Sequence, residues 1–569
     1  MSKGVLKLFL QKSKIALILA GTLVWSLTMV RSGWLYSYGM GFWGANGHDG
    51  IWHIALAESL SRGSLQMPVF AGFGIQNYHI GFDLILAALH KITFIPVVNL
   101  YFQIIPPIMA LAIGFLTYNF VYIWRKSKME SWLAVFFVYF GGSFGWLVSL
   151  LRGQGWGGES MFWSQESIST LINPPFAFSL IIILLGLIYL KKYLENKSAI
   201  NFFLTALFFG ISIFIKVYAG LLVLTSIFVA SLWQIFKKKD YSLSGIAIVS
   251  AFISLVLFLP FNKSSANLIS FNPFWFLQSM LIATDRFNWP KLYSAMTTYT
   301  AGHIWIKAIP AYGLAFVIFI VGNFGTRLIA IKSLLRKPAK LLSAGSIEVF
   351  IFTLISGGII VPMFFTQKGT SWNTIQFLYY SLIFGGIAAG IGTGKLIAKL
   401  SDFMKGLVIT VFILITIPTT FASMNNYFPV KPQSILPTTE VEALKFLSLQ
   451  PEGTVLTYPF DSDKAAAALP PRPLYLFSST AYVSAFSGKP IFLEDQVNLD
   501  IMQYSWQQRR KSVENFLGEI NTSSAQTFLK ENKISYVYWV DGQHARIPDV
   551  NLGLTQIFKN NDVTILKVK

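Results

Sequence analysis

The chain is 569 residues long, 54% hydrophobic and only 12% charged, about half the charged share of ordinary soluble domains. Its formal charge of +20 does not mark a nucleic-acid surface, because the basic residues fall in short clusters between long apolar runs, the pattern of cytoplasmic membrane loops. There are no cysteines, which excludes disulfides, a thiolate nucleophile and a zinc–thiolate site.

A basic N-terminus leads into the apolar run Ile15–Val30. That start is like a signal peptide, but no small-residue cleavage site follows, so a retained first helix is expected over 15–31. Further apolar runs, each able to cross a bilayer as a helix, predict membrane helices at 104–124, 131–151, 176–190, 199–215, 217–236, 243–260, 306–325, 349–365, 374–393 and 406–424. That makes about eleven. The basic clusters are Lys3/Lys7/Lys12/Lys14, Arg125/Lys126/Lys128, Lys191/Lys192/Lys197, Lys237/Lys238/Lys239, Arg327/Lys332/Arg336/Lys337/Lys340 and Lys395/Lys399/Lys405. With this set of helices all six lie on one side, which the positive-inside rule makes cytoplasmic.

Three outer loops stand out. Residues 32–103 are too apolar for a free linker and predict helices in the membrane interface, with Trp34, Tyr36, Trp43 and Trp52 at headgroup depth. The other two are 152–175 and 261–305. From about 430 the long apolar runs stop. Strands at 454–458, 534–540 and 563–568 alternate there with helical stretches at 440–449 and 523–532, the pattern of a small α/β domain. The expected organisation is a membrane domain over 1–429 and an extracytoplasmic α/β domain over 430–569.

Polar residues at a membrane face are expensive and usually line a cavity. The first loop gathers His48, Asp49, His53, Glu58, Arg62, Tyr78, His79 and Asp83. A helix starting near Asp49 would take it as N-cap, and His53 one turn later would face the same way. The plainer reading is a capping aspartate beside interfacial histidines. The second loop offers Glu159, Glu166 and Asn173-Pro174-Pro175. One of these acids together with Asp49 suits a divalent cation (Mg or Mn) or a sugar hydroxyl, unless both are simply solvated. Pro174 suits a helix start, with Asn173 ending the segment before it or touching a ligand. Around 366–380, a polar turn places Lys368, Asn373 and Gln376 at the start of a helix, whose free N–H groups suit a phosphate. Lys216 and Arg286 are the other candidate phosphate cations, and each of the three cations has headgroup snorkelling as its alternative. No Walker-type loop or HExxH is present.

An acid just beyond the first membrane helix, in a long and partly helical outer loop, resembles the GT-C superfamily of membrane glycosyltransferases, such as protein mannosyltransferases and aminoarabinose transferases. The resemblance implies a polyprenyl-phosphate-type sugar donor, an outer-face active site, and Asp49 as base or acceptor-orienting group. A soluble domain after the last helix fits it. Two features depart from the superfamily: Asp49 is flanked by His48 and Gly50 instead of a second acid, and the second loop has no Asp-x-Asp pair.

The expected function is therefore an inverting glycosyltransferase, with His53 orienting Asp49 and Lys368, Lys216 or Arg286 holding the departing phosphate. Its partners would be the lipid-linked donor, membrane lipids and an acceptor glycan, lipid or protein. The alternatives are a lipid-linked sugar flippase, disfavoured by the lack of an inverted repeat, and a polymerase or ligase of surface polysaccharide. The topology is testable. Reporter fusions after Lys128, Lys192 and Lys239 should give cytoplasmic signals, and one after Lys569 an external signal. A cytoplasmic signal at Lys569 would overturn this orientation.

Overall fold

The computed structural model describes residues 3–263, 268–330 and 344–569. Lys332, Arg336, Lys337 and Lys340 of the fifth basic cluster lie outside the described residues. The described chain is mostly helical and multi-pass, with small sheets. A helix occupies each of the eleven expected positions. Eight of the described helices are long and apolar enough to cross a membrane. The other three positions depart from simple spans. Only Ile15–Ser26 forms the apolar part of the first helix, Ala199–Ile215 is short, and the expected span 131–151 is broken into Lys128–Phe140 and Gly145–Leu151, bent by 52°. At the break a Cβ on Gly141 would lie 2.3 Å from Arg327 Nε, so the chain can pass the guanidinium there only as glycine.

The chain divides into two compact units. One comprises residues 1–28, 107–260 and 269–425 and contains most of the helices. Its most buried helix is Gln376–Ile397, packed on Lys128–Phe140. Gly386, Gly390 and Gly394 form one stripe along it. A Cβ on each would fall 3.2, 2.2 and 2.7 Å from Phe137, Ala134 and Glu130. Helices in lipid gain little from hydrophobic exclusion, so close backbone contact through small residues carries their association.

The second unit comprises residues 29–106, 261–268 and 426–569. The long first loop thus groups with the C-terminal segment. One four-stranded sheet runs 35–36, 39–42, 434–437, 472–473, with only the last pair parallel. Gly39 sits at φ +115°, where a Cβ would meet the Leu436 carbonyl oxygen at 2.1 Å. The other sheet is ordered 454–457, 534–540, 563–568, 554–559, with the first pair parallel and the rest antiparallel. Helices Thr438–Ser448 and Thr522–Glu531 match the expected stretches, while strand Leu554–Lys559 and helix Trp506–Gly518 were not anticipated.

The first loop does contain two helices, Asp49–Ser61 and Gly81–Thr93. Trp43 and Trp52, however, are 1% and 2% exposed. They are buried in the core of this unit; Trp34 alone of the tryptophans named there is exposed. The unit is tied together by Arg509, which lies 3.7 Å from the Phe70 ring and donates to the Ala71 and Phe492 carbonyls at 2.9 and 2.7 Å.

Glu440 opens helix Thr438–Ser448 and is 1% exposed. The Tyr538 hydroxyl donates to its Oε2 at 3.2 Å, but Oε1 has no partner. Burial pushes its carboxyl up to about 8, against the opposing hydrogen bonds of Tyr538 and Tyr482. A carboxyl raised by folding contributes stability below its unfolded value, and this is lost as pH rises through the folded one. Stability of the C-terminal region should therefore fall between about pH 4.5 and 8, and Glu440→Gln should flatten that slope. Thermal unfolding of both proteins across this range checks it; parallel slopes would contradict it.

Candidate functional site

A short 3-10 turn, Gly44–Gly47, delivers the chain to helix Asp49–Ser61. His48 is the N-cap and Asp49 the first helical residue, so Asp49 does not cap the helix as expected. Its negative charge still sits at the positive end of the helix dipole, where it is favoured. The Asp49 side chain is 49% exposed, and its Oδ1 lies 3.0 Å from His48 Nδ1. His48 is far less exposed, and its Nε2 stands 3.6 Å from Oδ1 of the fully buried Asp495. Burial by itself would lower the imidazole pKa. The two carboxylates outweigh it and raise the group to about 10. His48 is thus held between two acids, which favour its charged form.

His53 follows Asp49 one helical turn later. Its Nδ1 pairs with Oδ1 of Asp83 at 2.7 Å, both groups buried, and its ring stacks on Tyr101 at 5.6 Å. A buried carboxylate needs a donor more than an exposed one does, which turns His53 toward Asp83. Trp52 Nε1 donates to the Tyr78 hydroxyl at 2.8 Å, and Tyr78 stacks on His79 at 4.5 Å. Glu58 lies more than two turns from Asp49 on the same helix. Burial raises its pKa, opposed by the charges of His90 and Arg62. Tyr101 escaped the sequence reading, and Asp495 read only as one of several carboxylates on a surface-like stretch, whereas it is fully buried. Tyr101 is embedded in an apolar run, and Asp495 lies at the other end of the chain in an ordinary-looking stretch.

Beside Asp495 the C-terminal segment forms a polar cleft of about 80 Å³, lined among others by Tyr458, Asp461, Tyr475, Thr480 and Glu494. Thr480 is 4% exposed, and its hydroxyl has no partner.

The remaining expected site residues belong to the helical unit. Four of them come together. Asn173 caps helix Pro174–Asn196 by accepting from the Phe176 N–H at 3.2 Å. The same oxygen accepts from Lys216 Nζ at 3.3 Å, and its amide donates to Gln376 at 3.4 Å. Gln376 donates in turn to Asn373, which donates to Gln367 at 2.9 Å; the Tyr218 hydroxyl closes the chain on Gln367 at 3.1 Å. Lys216 is only 5% exposed, a buried cation in an amide network and not a snorkelling one. Lys368 is exposed. Arg286 lies 4.2 Å from the Trp163 ring and donates to the Ser160 carbonyl at 3.3 Å.

Glu159 and Glu166 are not solvated loop charges. Glu159 Oε1 accepts from the Ser169 hydroxyl at 2.6 Å and the Glu166 N–H at 2.9 Å. Glu166 pairs with Arg327 at 2.5 Å, both side chains fully buried, and Arg327 also donates to Ser167 at 2.7 Å. Arg327 and Glu166, expected at opposite faces of the membrane, are thus in direct contact. Glu166, already neutralised by Arg327, is unsuited to ligating a metal. Among the described residues no group of three or more His, Cys, Asp or Glu could hold a metal ion.

No family model matches the chain, and no curated protein does. Solved structures do. The apo archaeal oligosaccharyltransferase AglB from Archaeoglobus fulgidus is 13% identical, with a TM-score of 0.51 over 93% of this chain and 69% of that one. AglB in complex with an inhibitory peptide and a dolichol-phosphate is 11% identical, with a TM-score of 0.50 over the same shares. The arabinofuranosyltransferase AftD from Mycobacteria is 13% identical, with a TM-score of 0.51 over 98% of this chain and 40% of that one. The chain has the GT-C fold. The expected fold class, a multi-pass helical GT-C-like protein with a small C-terminal α/β region, is therefore the observed one.

Within this GT-C fold the Glu166–Arg327 pair is a structural lock. Arg327→Met strands Glu166 and should cost about 3–5 kcal/mol. The double variant Glu166→Leu/Arg327→Met should recover most of the loss, because an apolar pair replaces an ionic one. Thermal unfolding in detergent decides it; a double variant no better than the single one would contradict the account.

Proposed function

We propose that this protein is a membrane glycosyltransferase that moves a sugar from a polyprenyl-phosphate-type donor to an acceptor hydroxyl, with Asp49 as base. The observation that carries the reading is a half-exposed carboxylate at a helix N-terminus, fixed by a buried imidazole. The GT-C fold supports the class, and AglB, which shares it, is known in complex with a dolichol-phosphate.

An alcohol is a weak nucleophile, and a positioned base accelerates its attack by typically 10²- to 10⁴-fold. In the proposed step Asp49 takes the hydroxyl proton as the acceptor oxygen bonds to the anomeric carbon. The bond from that carbon to the donor phosphate breaks, and its electron pair leaves on the lipid phosphate. Attack from the opposite face inverts the anomeric centre. The departing phosphate needs a cation, for which Lys368, Lys216 and Arg286 are the candidates. His53 is held within the first loop by its pair with Asp83. The C-terminal cleft is the proposed acceptor side: its tyrosines, carboxylates and the unpartnered Thr480 hydroxyl suit a hydroxyl-bearing group. The proposed orientation places this chemistry outside the cytoplasm, following the basic loops.

Asp49→Asn keeps size and local structure and should lower transfer about 10²- to 10⁴-fold at matched folding. Glu58→Gln should be mild, and Asp83→Asn should act mainly through stability. The assay is transfer of labelled sugar from polyprenyl-phosphate donors in liposomes prepared with native membrane acceptors. Full activity in Asp49→Asn would remove the proposal.

A further inference from the structure

The mechanism above leaves Asp495 unused. This residue is fully buried and sits in the left-handed region, at φ +47° and ψ +61°. Few side chains tolerate that backbone, and aspartate is among them. Its Oδ1 accepts from the Asn498 N–H at 3.1 Å and its Oδ2 from the Asn498 amide at 2.8 Å, so the carboxylate is fixed before anything else touches it. The same Oδ1 lies 3.6 Å from His48 Nε2, an ion-pair distance too long for a hydrogen bond. His48 Nε2 is buried and makes no hydrogen bond, so Asp495 is its electrostatic counterpart. The other ring nitrogen meets Asp49 at 3.0 Å. An imidazole between two acids can hold one in place only if the other is rigid. Here the rigid one is Asp495 and the half-exposed one is Asp49.

We infer that Asp495 is a positioning residue for the transfer reaction: it anchors His48, and His48 holds the Asp49 carboxylate in its working orientation. The inference rests on the reading of Asp49 as base. It gives the C-terminal segment a part in catalysis beyond binding an acceptor, because the anchor also lines the polar cleft. A base misplaced by about 1 Å loses up to about 10²-fold in rate, which sets the scale of the effect.

The test uses the full-length protein in liposomes and the sugar-transfer assay described above. Asp495→Asn keeps the helix-capping geometry and removes the charge. It should lower kcat by about 10- to 100-fold and leave the donor KM within about twofold. His48→Gln should do the same, and Asp495→Asn/His48→Gln should be no worse than His48→Gln alone, since both act through one contact. Asn498→Ala, which removes the amide donor to Asp495 Oδ2 and so loosens the anchor, should lower kcat in the same direction but by less. Wild-type kcat in Asp495→Asn or additive losses in the double variant would each overturn the inference. If Asp495→Asn does not fold, His48→Gln carries the test, and an unchanged kcat there overturns it. Asp49→Asn run alongside separates the two readings. Loss of activity in Asp49→Asn with none in Asp495→Asn sinks only this inference, and full activity in Asp49→Asn sinks the base assignment and this inference with it.

Discussion

A carboxylate taken out of water must be met by a cation or by several donors, or the fold loses several kcal/mol. This one requirement organises the polar interior of the protein. Glu166 meets Arg327, Asp83 meets His53, and Asp495 meets His48 and the two donors of Asn498. Each pairing joins segments distant in sequence or fixes a loop against a helix. Asp49 is the exception in exposure: it shares His48 with Asp495 yet keeps half its side chain open. An acid that is both oriented and reachable suits proton transfer, whereas the fully buried acids are suited to holding structure.

The helical unit obeys a different constraint. Backbone groups in a bilayer must be satisfied within the segment, so the elements are helices, and what remains to be chosen is how they pack. The glycine stripe of helix Gln376–Ile397 answers that for the central contact. The polar residues set among these helices form networks because an isolated polar group there would be costly. The chain of amides from Asn173 through Gln376 and Asn373 to Gln367, with Lys216 at one end and Tyr218 at the other, is one such network. Within it, Asn173 serves two ends at once, as helix cap and as acceptor for a buried lysine.

The second unit shows how a loop becomes part of a domain. Residues 29–106 supply strand 39–42, which pairs with 434–437, and the Pro68 and Val69 carbonyls, which accept from Ile491 and Glu494. Trp43 and Trp52, which read as interfacial anchors, are buried in this unit. A tryptophan has the same amphipathic side chain in both settings. Its sequence neighbourhood carries no record of which distant strand will cover it.

Much was legible in the order of residues alone. Hydropathy over some twenty residues is a local property, so helices stood at all the expected positions. Alternation of strand and helix patterns revealed the α/β character of the C-terminal segment, and the sparse acids of the first loop drew attention to Asp49. Composition also showed which polar residues needed an explanation, among them Asn173, Lys216, Asn373 and Gln376, but not that these four share one network. Only the tertiary structure decided the partners: His53 with Asp83, Arg327 with Glu166, and Asp495 with His48. The reason is physical. Propensity and hydrophobicity act over one or two turns and can be read along the chain, whereas the pairing of buried charges depends on which segments meet, a choice made by packing between residues hundreds of positions apart.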